Sequence, residues 1–173
     1  MKTKVLYDTQ TIEERIKALG KSLSDSYTDG KPILCVGLLR GAFMFLSELV
    51  RHIKGDVLVD FVTLSSYSGA ESTGTVNLVG ELREDVSGKH VIIIEDIVDS
   101  GRTVKFLREY FGGKGALSVK VACLIDKPMT RKVDAQADYV AFTLDRPAFI
   151  VGYGLDYDQR FRNLADIEEI EFE

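Results

Sequence analysis

At 173 residues, 45% hydrophobic and 28% charged, the chain has the make-up of an ordinary soluble domain long enough to bury one good core. Its net charge of −5 at pH 7 argues against a polyanion such as nucleic acid as the main partner, because phosphate backbones are bound through an excess of Lys and Arg. No apolar run approaches the roughly 18 residues of a membrane span, and Cys35 and Cys123 each fall in an apolar strand-like run, which reads as reduced, buried thiols in a cytoplasmic protein.

The first predicted element is an amphipathic helix whose apolar stripe is Ile12, Ile16, Leu19 and Leu23, entered through a capping-box pair, Thr11 and Glu14. A strand at 32 to 39, a helix at 42 to 53 and a strand at 57 to 64 follow. Residues 65 to 80 are polar, small and poorly periodic, and a loop of this length in a compact domain reads as a lid, with Gly69 and Gly74 as pivots. A core strand at 90 to 95 leads into a helix from Arg102, on the spacing of Thr103, Phe106, Leu107, Tyr110 and Phe111. Gly113-Lys114-Gly115 closes that helix as a C-cap and turn. Strands at 118 to 125, 138 to 144 and 148 to 152 complete the series, and the acidic stretch Asp166 to Glu173 reads as a partly solvated edge segment. Strand and helix alternating in this way predict an α/β fold, with a mostly parallel twisted central sheet flanked by helices, in one domain over residues 1–173.

The chemistry concentrates in residues 91 to 103, Val-Ile-Ile-Ile-Glu-Asp-Ile-Val-Asp-Ser-Gly-Arg-Thr. The small-residue turn lies between the carboxyl end of a buried strand and a helix N-terminus, whose first N–H groups have no internal partner and carry partial positive charge. A phosphate satisfies them, Ser100 and Thr103 add hydroxyl donors, and Gly101 allows close approach of the backbone. Glu95 and Asp96 would repel that phosphate and must face something else. A ribose fits, since its vicinal hydroxyls are donors that match acceptor-only carboxylates. Asp99, inside the turn, reads equally as a helix N-cap and as a carboxylate turned outward toward a second substrate. Lys127 follows the strand at 118 to 125 and emerges at the same sheet edge; an ammonium donates and never accepts, so beside a base it favours a ring carbonyl over an amino group.

The run Glu95 to Thr103 resembles the phosphoribosyl-pyrophosphate (PRPP) motif of type I phosphoribosyltransferases. The block Phe149-Ile150-Val151-Gly152-Tyr153-Gly154-Leu155-Asp156, together with Lys127, resembles the hypoxanthine-guanine branch of that family. The resemblance covers residues 32 to 162 and implies transfer of a phosphoribosyl group from PRPP to a 6-oxopurine, with Mg²⁺, giving IMP or GMP and pyrophosphate. It assigns the ribose and its 5′-phosphate to Glu95, Asp96, Asp99, Ser100, Gly101, Arg102 and Thr103, with Asp99 as the base that accepts the purine N7 proton. It assigns the purine to Lys127, to stacking on Phe149 and to the backbone of Ile150. Pyrophosphate goes to Leu39, Arg40, Gly41, Ser66, Tyr67 and Arg162, and Mg²⁺ to Asp156, Glu95 and Asp96. In this family the peptide bond here joining Leu39 to Arg40 can be cis. The resemblance also implies a small hood built from segments near the N-terminus and from 126 to 173, and a homodimer or homotetramer. The family commonly carries Thr at Ser100, and Lys at Arg102 and Arg40; each change keeps the donor or the charge.

Other phosphate signatures fare worse. There is no Gly-x-x-x-x-Gly-Lys-Ser/Thr run, and His52 and His90 have no metal-ligand spacing. A regulator of the same superfamily, binding PRPP or nucleotides to control RNA or DNA, is the alternative of a different class. It needs a basic face, which the acidic balance disfavours, and both Asp99 and Lys127 favour the enzyme.

Overall fold

The computed structural model describes residues 2–66 and 76–172. Tyr67, Gly69 and Gly74 lie outside the described residues. In chain order the elements are β1 (Lys2–Tyr7), α1 (Thr9–Ser26), β2 (Ile33–Leu39), α2 (Phe43–Leu49), β3 (Val57–Ser66), β4 (Val76–Val79), β5 (His90–Val98), α3 (Arg102–Gly112), β6 (Ser118–Asp126), β7 (Tyr139–Thr143), β8 (Ile150–Val151) and β9 (Ile167–Glu171). Among the described residues they form a six-stranded sheet of order β4-β3-β2-β5-β6-β7 and a three-stranded sheet of order β1-β9-β8. The large sheet is parallel except for β4, which pairs antiparallel with β3.

Alternation along the central strands builds two cores. Ile33 and Cys35 of β2 and Ile92 and Ile94 of β5 face α1 and α2, meeting Ile12, Ile16, Leu23, Phe45 and Leu49. Leu34 and Val36 of β2 and Val91 and Ile93 of β5 face α3, meeting Val104, Leu107 and Phe111. A strand apolar on both faces is what a covered parallel sheet demands, and each such side chain removed from water contributes about 1.5–3 kcal/mol. Cys35 and Cys123 are free and buried, and they belong to opposite cores, so they cannot meet. Burial pushes the Cys35 thiol up to about 12 and raises that of Cys123 as well.

Several boundaries differ from expectation. The cap of α1 is Asp8, whose carboxylate accepts the Thr11 N–H at 2.8 Å; Thr11 lies inside the helix, and Glu14 accepts from Gln10 instead. Asp-x-x-Thr one turn earlier matches the same capping chemistry, and the carboxylate wins. The segment at 148 to 152 contributes only Ile150–Val151, and to the small sheet. The acidic end is no edge: β9 is the middle strand of that sheet, with Ile167 and Ile170 buried. Its register sets Glu169 opposite Lys4 and Glu171 opposite Lys2 on β1, and opposite charges across antiparallel strands attract. Arg146 adds a forked contact to Glu169, at 2.6 and 2.5 Å.

The chain returning from β4 is fastened by a buried carboxylate. Asp60 is 8% exposed and accepts from the N–H groups of Phe61, Arg83 and Glu84 at 2.8, 2.7 and 2.9 Å. Asp60→Ala leaves those donors without their charged partner, and urea unfolding is expected to show a loss of about 2 kcal/mol.

Candidate active site

The carboxyl edge of the large sheet gathers the loops that carry the candidate residues. β5 carries Glu95 and Asp96 in its last four residues and ends at Val98, and α3 begins at Arg102 after the turn Asp99-Ser100-Gly101. Gly101 has φ +82°, and an added Cβ would lie 2.9 Å from Cδ of Arg131, so the position needs glycine on conformation and on space. Gly101 at the N-cap has no side chain to offer and Ser100 Oγ makes only a long 3.4 Å contact with the Arg102 N–H, so among the described residues the first turn of α3 is weakly capped and open to a ligand. Glu95, Asp99, Ser100, Gly101 and Thr103 line a small cavity of about 70 Å³ over this turn.

Beside it lies a cleft of about 270 Å³, lined by Asp96, Ile97, Asp99, Lys127, Phe149, Ile150, Leu155 and Asp156. A further space of about 600 Å³ shares Asp99, Lys127 and Phe149 and continues past Met129, Leu144 and Phe172. The structure therefore brings together Asp99, Lys127, Phe149 and Ile150, as the sequence led one to expect. Lys127 donates from Nζ to the Ala148 carbonyl at 3.0 Å, which holds the ammonium on the cleft wall with donors to spare. Phe149 is 43% exposed and is met edge-on by Tyr157 and Phe172 at 5.3 and 5.8 Å.

On the other side of Asp96 the loop after β2 is cis at the Leu39–Arg40 peptide bond. Gly41 lies so close to Asp96 that an added Cβ would fall 1.6 Å from the carboxylate Oδ2. Gly154, φ +96°, approaches in turn, with a hypothetical Cβ 2.5 Å from the Gly41 carbonyl. These contacts stack three loops on one another. Gln159 then joins two arginines, its Oε1 accepting from Arg40 at 2.9 Å and from Arg162 at 3.0 Å. Arg162 also donates to the Gly154 carbonyl at 2.7 Å and pairs with Asp156 at 2.9 Å. Ser66 ends β3 in register with Val76.

Ile97 and Leu155, the apolar lining of the cleft, stand inside the two motif blocks without a role assigned from sequence, and Arg131, which donates to the Asp99 carbonyl at 2.6 Å, was not singled out at all. Leu155 carries a faint signal, as an apolar residue inside the Gly-Tyr-Gly-Leu-Asp block. Arg131 carries none, because its acceptors are a backbone carbonyl and a carboxylate reached only through the fold.

Glu95 is 8% exposed and one of its oxygens, Oε2, is buried without a partner. Burial, and then the neighbouring Asp96, hold its carboxyl well above the ordinary carboxylate range. Burial raises Asp96 too, against the pull of the Ile97 N–H and Arg162. Carboxyl groups so situated await donors or a cation. In the unfolded chain Glu95 ionises near 4.5, whereas the native carboxyl keeps its proton to higher pH. The native state then binds more protons, so the stability from the neutral group is full below that value and is lost as pH rises through the raised native pKa. Measured against Glu95→Gln, the melting temperature of the parent is expected to fall progressively from pH 4.5 upward; a flat difference across the same range would show that Glu95 ionises normally.

Comparison with known proteins agrees with this geometry. The phosphoribosyl transferase domain model matches residues 2–158. The hypoxanthine-guanine phosphoribosyltransferase of Streptococcus pneumoniae is 45% identical over 165 residues, which cover 95% of this chain and 91% of that protein. The enzyme of the same name from Bacillus subtilis is 43% identical over 165 residues, with 95% and 91% covered. A crystal structure of a hypoxanthine phosphoribosyltransferase from Staphylococcus aureus matches with a TM-score of 0.91 at 40% identity, over 97% of this chain and 91% of that one. A family model matched over residues 2–158, with relatives and a solved structure alike over more than nine-tenths of the chain, makes this protein a member of the phosphoribosyl transferase domain family.

Proposed function

We propose that this protein is a purine salvage transferase that condenses hypoxanthine, and guanine, with PRPP to give IMP or GMP and pyrophosphate. One observation carries the reading: Asp99 lines both the cavity over the phosphate turn and the cleft that holds Lys127 and Phe149. A group so situated can touch a base while the turn beside it holds the sugar phosphate. The 5′-phosphate is taken by Ser100, Gly101, Arg102, Thr103 and the first turn of α3, and the ribose hydroxyls by Glu95 and Asp96. Pyrophosphate is bound by Leu39, Arg40, Gly41 and Arg162, with Ser66 and Tyr67 on the lid side.

Purine N9 attacks C1′ of the ribose, the C1′–O bond to pyrophosphate breaks with its electron pair leaving on oxygen, and Asp99 accepts the N7 proton as the ring gains positive charge. Phe149 stacks on the ring, the Ile150 backbone meets its edge, and Lys127 donates to O6. Among the described residues no cluster of His, Cys, Asp and Glu forms a cage for a metal. Mg²⁺ needs none, since it takes one or two carboxylates together with substrate oxygens. The unpartnered oxygen of Glu95 and the adjoining Asp96 suit it on the ribose side, and Asp156 suits it on the pyrophosphate side. The ion would neutralise the leaving diphosphate.

The reading extends to assembly and location. Phe43, Val59, Phe61 and Val79 are exposed on the α2 side of the β3–β4 edge, which supports a homodimer or homotetramer. Among the described residues no helix is long and apolar enough to cross a membrane. The two buried free thiols support a cytoplasmic location.

Incubation with PRPP, Mg²⁺ and each of hypoxanthine, guanine, xanthine and adenine, followed by product analysis, is expected to yield 6-oxopurine nucleotides, with adenine disfavoured by up to about 10⁴- to 10⁵-fold. Comparable turnover of adenine would overturn the assignment of Lys127, and RNA binding without nucleotide synthesis would overturn the enzyme. Asp99→Asn is expected to keep the fold and PRPP affinity while kcat falls about 10²-fold or more; an unchanged kcat removes Asp99 as the base.

A further inference from the structure

The first two carbonyl groups of the phosphate turn are held by one neighbouring loop. Nη1 of Arg131 donates to the Asp99 carbonyl at 2.6 Å, and the backbone N–H groups of Lys132 and Val133 donate to the Ser100 carbonyl at 3.0 and 3.3 Å. Nη2 of Arg131 pairs with the carboxylate of Asp126, and the Arg131 stem lies against Gly101. The pair is partly buried, with 16% of the Arg131 side chain and 17% of that of Asp126 exposed. Asp126 is itself fixed in the sheet, in register with Val98 on one side and Thr143 on the other.

From this geometry we infer that Arg131 is a positioning residue for the transferase reaction: its guanidinium, anchored by Asp126, sets the phosphate turn and Asp99 in their working orientation. The inference rests on the transferase function proposed above. A trans peptide carries its C=O and N–H in opposite directions. Holding the carbonyls of Asp99 and Ser100 on the Arg131 side therefore turns the N–H groups of Ser100 and Gly101 the other way, away from that loop, without any side chain having to touch the phosphate. Both terminal nitrogens of Arg131 are engaged and its charge is matched by Asp126, so it is a brace and not a ligand. A planar fork presents N–H groups in fixed, separate directions and spans two acceptors at once, whereas the donors of a lysine ammonium radiate from a single nitrogen on a flexible stem and do not fix that geometry.

The loop also begins directly after Lys127. Residues Pro128–Thr130 form a single 3₁₀ turn in which Thr130 donates to the Lys127 carbonyl from its N–H at 3.2 Å and its hydroxyl at 2.8 Å, and the Arg131 N–H donates to the Pro128 carbonyl at 3.2 Å. The brace thus has its own short, stiff connection to the sheet edge.

The test is steady-state kinetics on two variants with PRPP and hypoxanthine varied separately. Arg131→Lys keeps a cation beside Asp126 but gives up the fork. The double variant Arg131→Met with Asp126→Leu removes both charges together, which protects folding, because an apolar pair of similar bulk is tolerated where a lone buried carboxylate is not. Each is expected to melt within a few degrees of the parent and to lose about 10²-fold in kcat/KM for PRPP, the scale of a small displacement of a binding group, while KM for hypoxanthine stays within about threefold. A purely structural part for Arg131 predicts no such split: activity would fall only with the folded fraction, and equally for both substrates. That pattern, or kcat/KM for PRPP within about threefold of the parent in either variant, overturns the inference. A parent protein that makes no nucleotide overturns the transferase function and this assignment with it, whereas an active parent beside active variants overturns the assignment alone.

Discussion

A carboxyl group buried at the end of a strand, with one oxygen unpartnered and a second carboxyl next in sequence, is a constraint that a fold tolerates only where a ligand supplies what the protein withholds. Glu95 and Asp96 are in that position. The strand that carries them is apolar on both faces, so it sits at the centre of the sheet, and its end cannot move to relieve the burial. The turn that follows must then open the next helix at once, which brings weakly capped N–H groups beside the carboxyl pair. Acceptors for hydroxyls and donors for a phosphate thus stand side by side as a consequence of where one hydrophobic strand stops.

Around this point the loops are braced by close approach more than by charge. Gly41 rests on Asp96 and Gly154 rests on Gly41, at separations that a Cβ could not share. Arg40 and Arg162 share Gln159, and Arg162 is held by Asp156 as well. Preorganisation of this sort reduces what binding must spend on ordering side chains, and it suits a reaction whose main demand is alignment.

Much of this was legible in the sequence, for reasons that differ by element. The core strand and α3 were readable because burial on both faces writes an uninterrupted apolar run and a helix writes its own spacing. The clustering of Glu95, Asp96, Asp99, Ser100, Gly101 and Thr103 around two adjoining cavities was readable because these residues are contiguous in the chain. β1 and β9 were missed because their pairing rests on Lys opposite Glu across the length of the chain, and neither shows an apolar alternation. The helix cap slipped by a turn because Asp8 and Thr11 both have capping chemistry. Arg131 was invisible because its acceptors, the Asp99 carbonyl and the Asp126 carboxylate, are chosen by tertiary structure.

The pairing of β1 with β9 also fixes an order of events during synthesis. Among the described residues Ile150 and Val151 find their strand partners in Glu168 and Glu169, and β1 finds its partner in residues 167 to 171. On a ribosome the parallel strands β2, β3, β5 and β6 are all complete before β9 emerges, so β1 waits for β9 across the intervening sheet. The three-stranded sheet therefore closes only after every strand of the large sheet has been made.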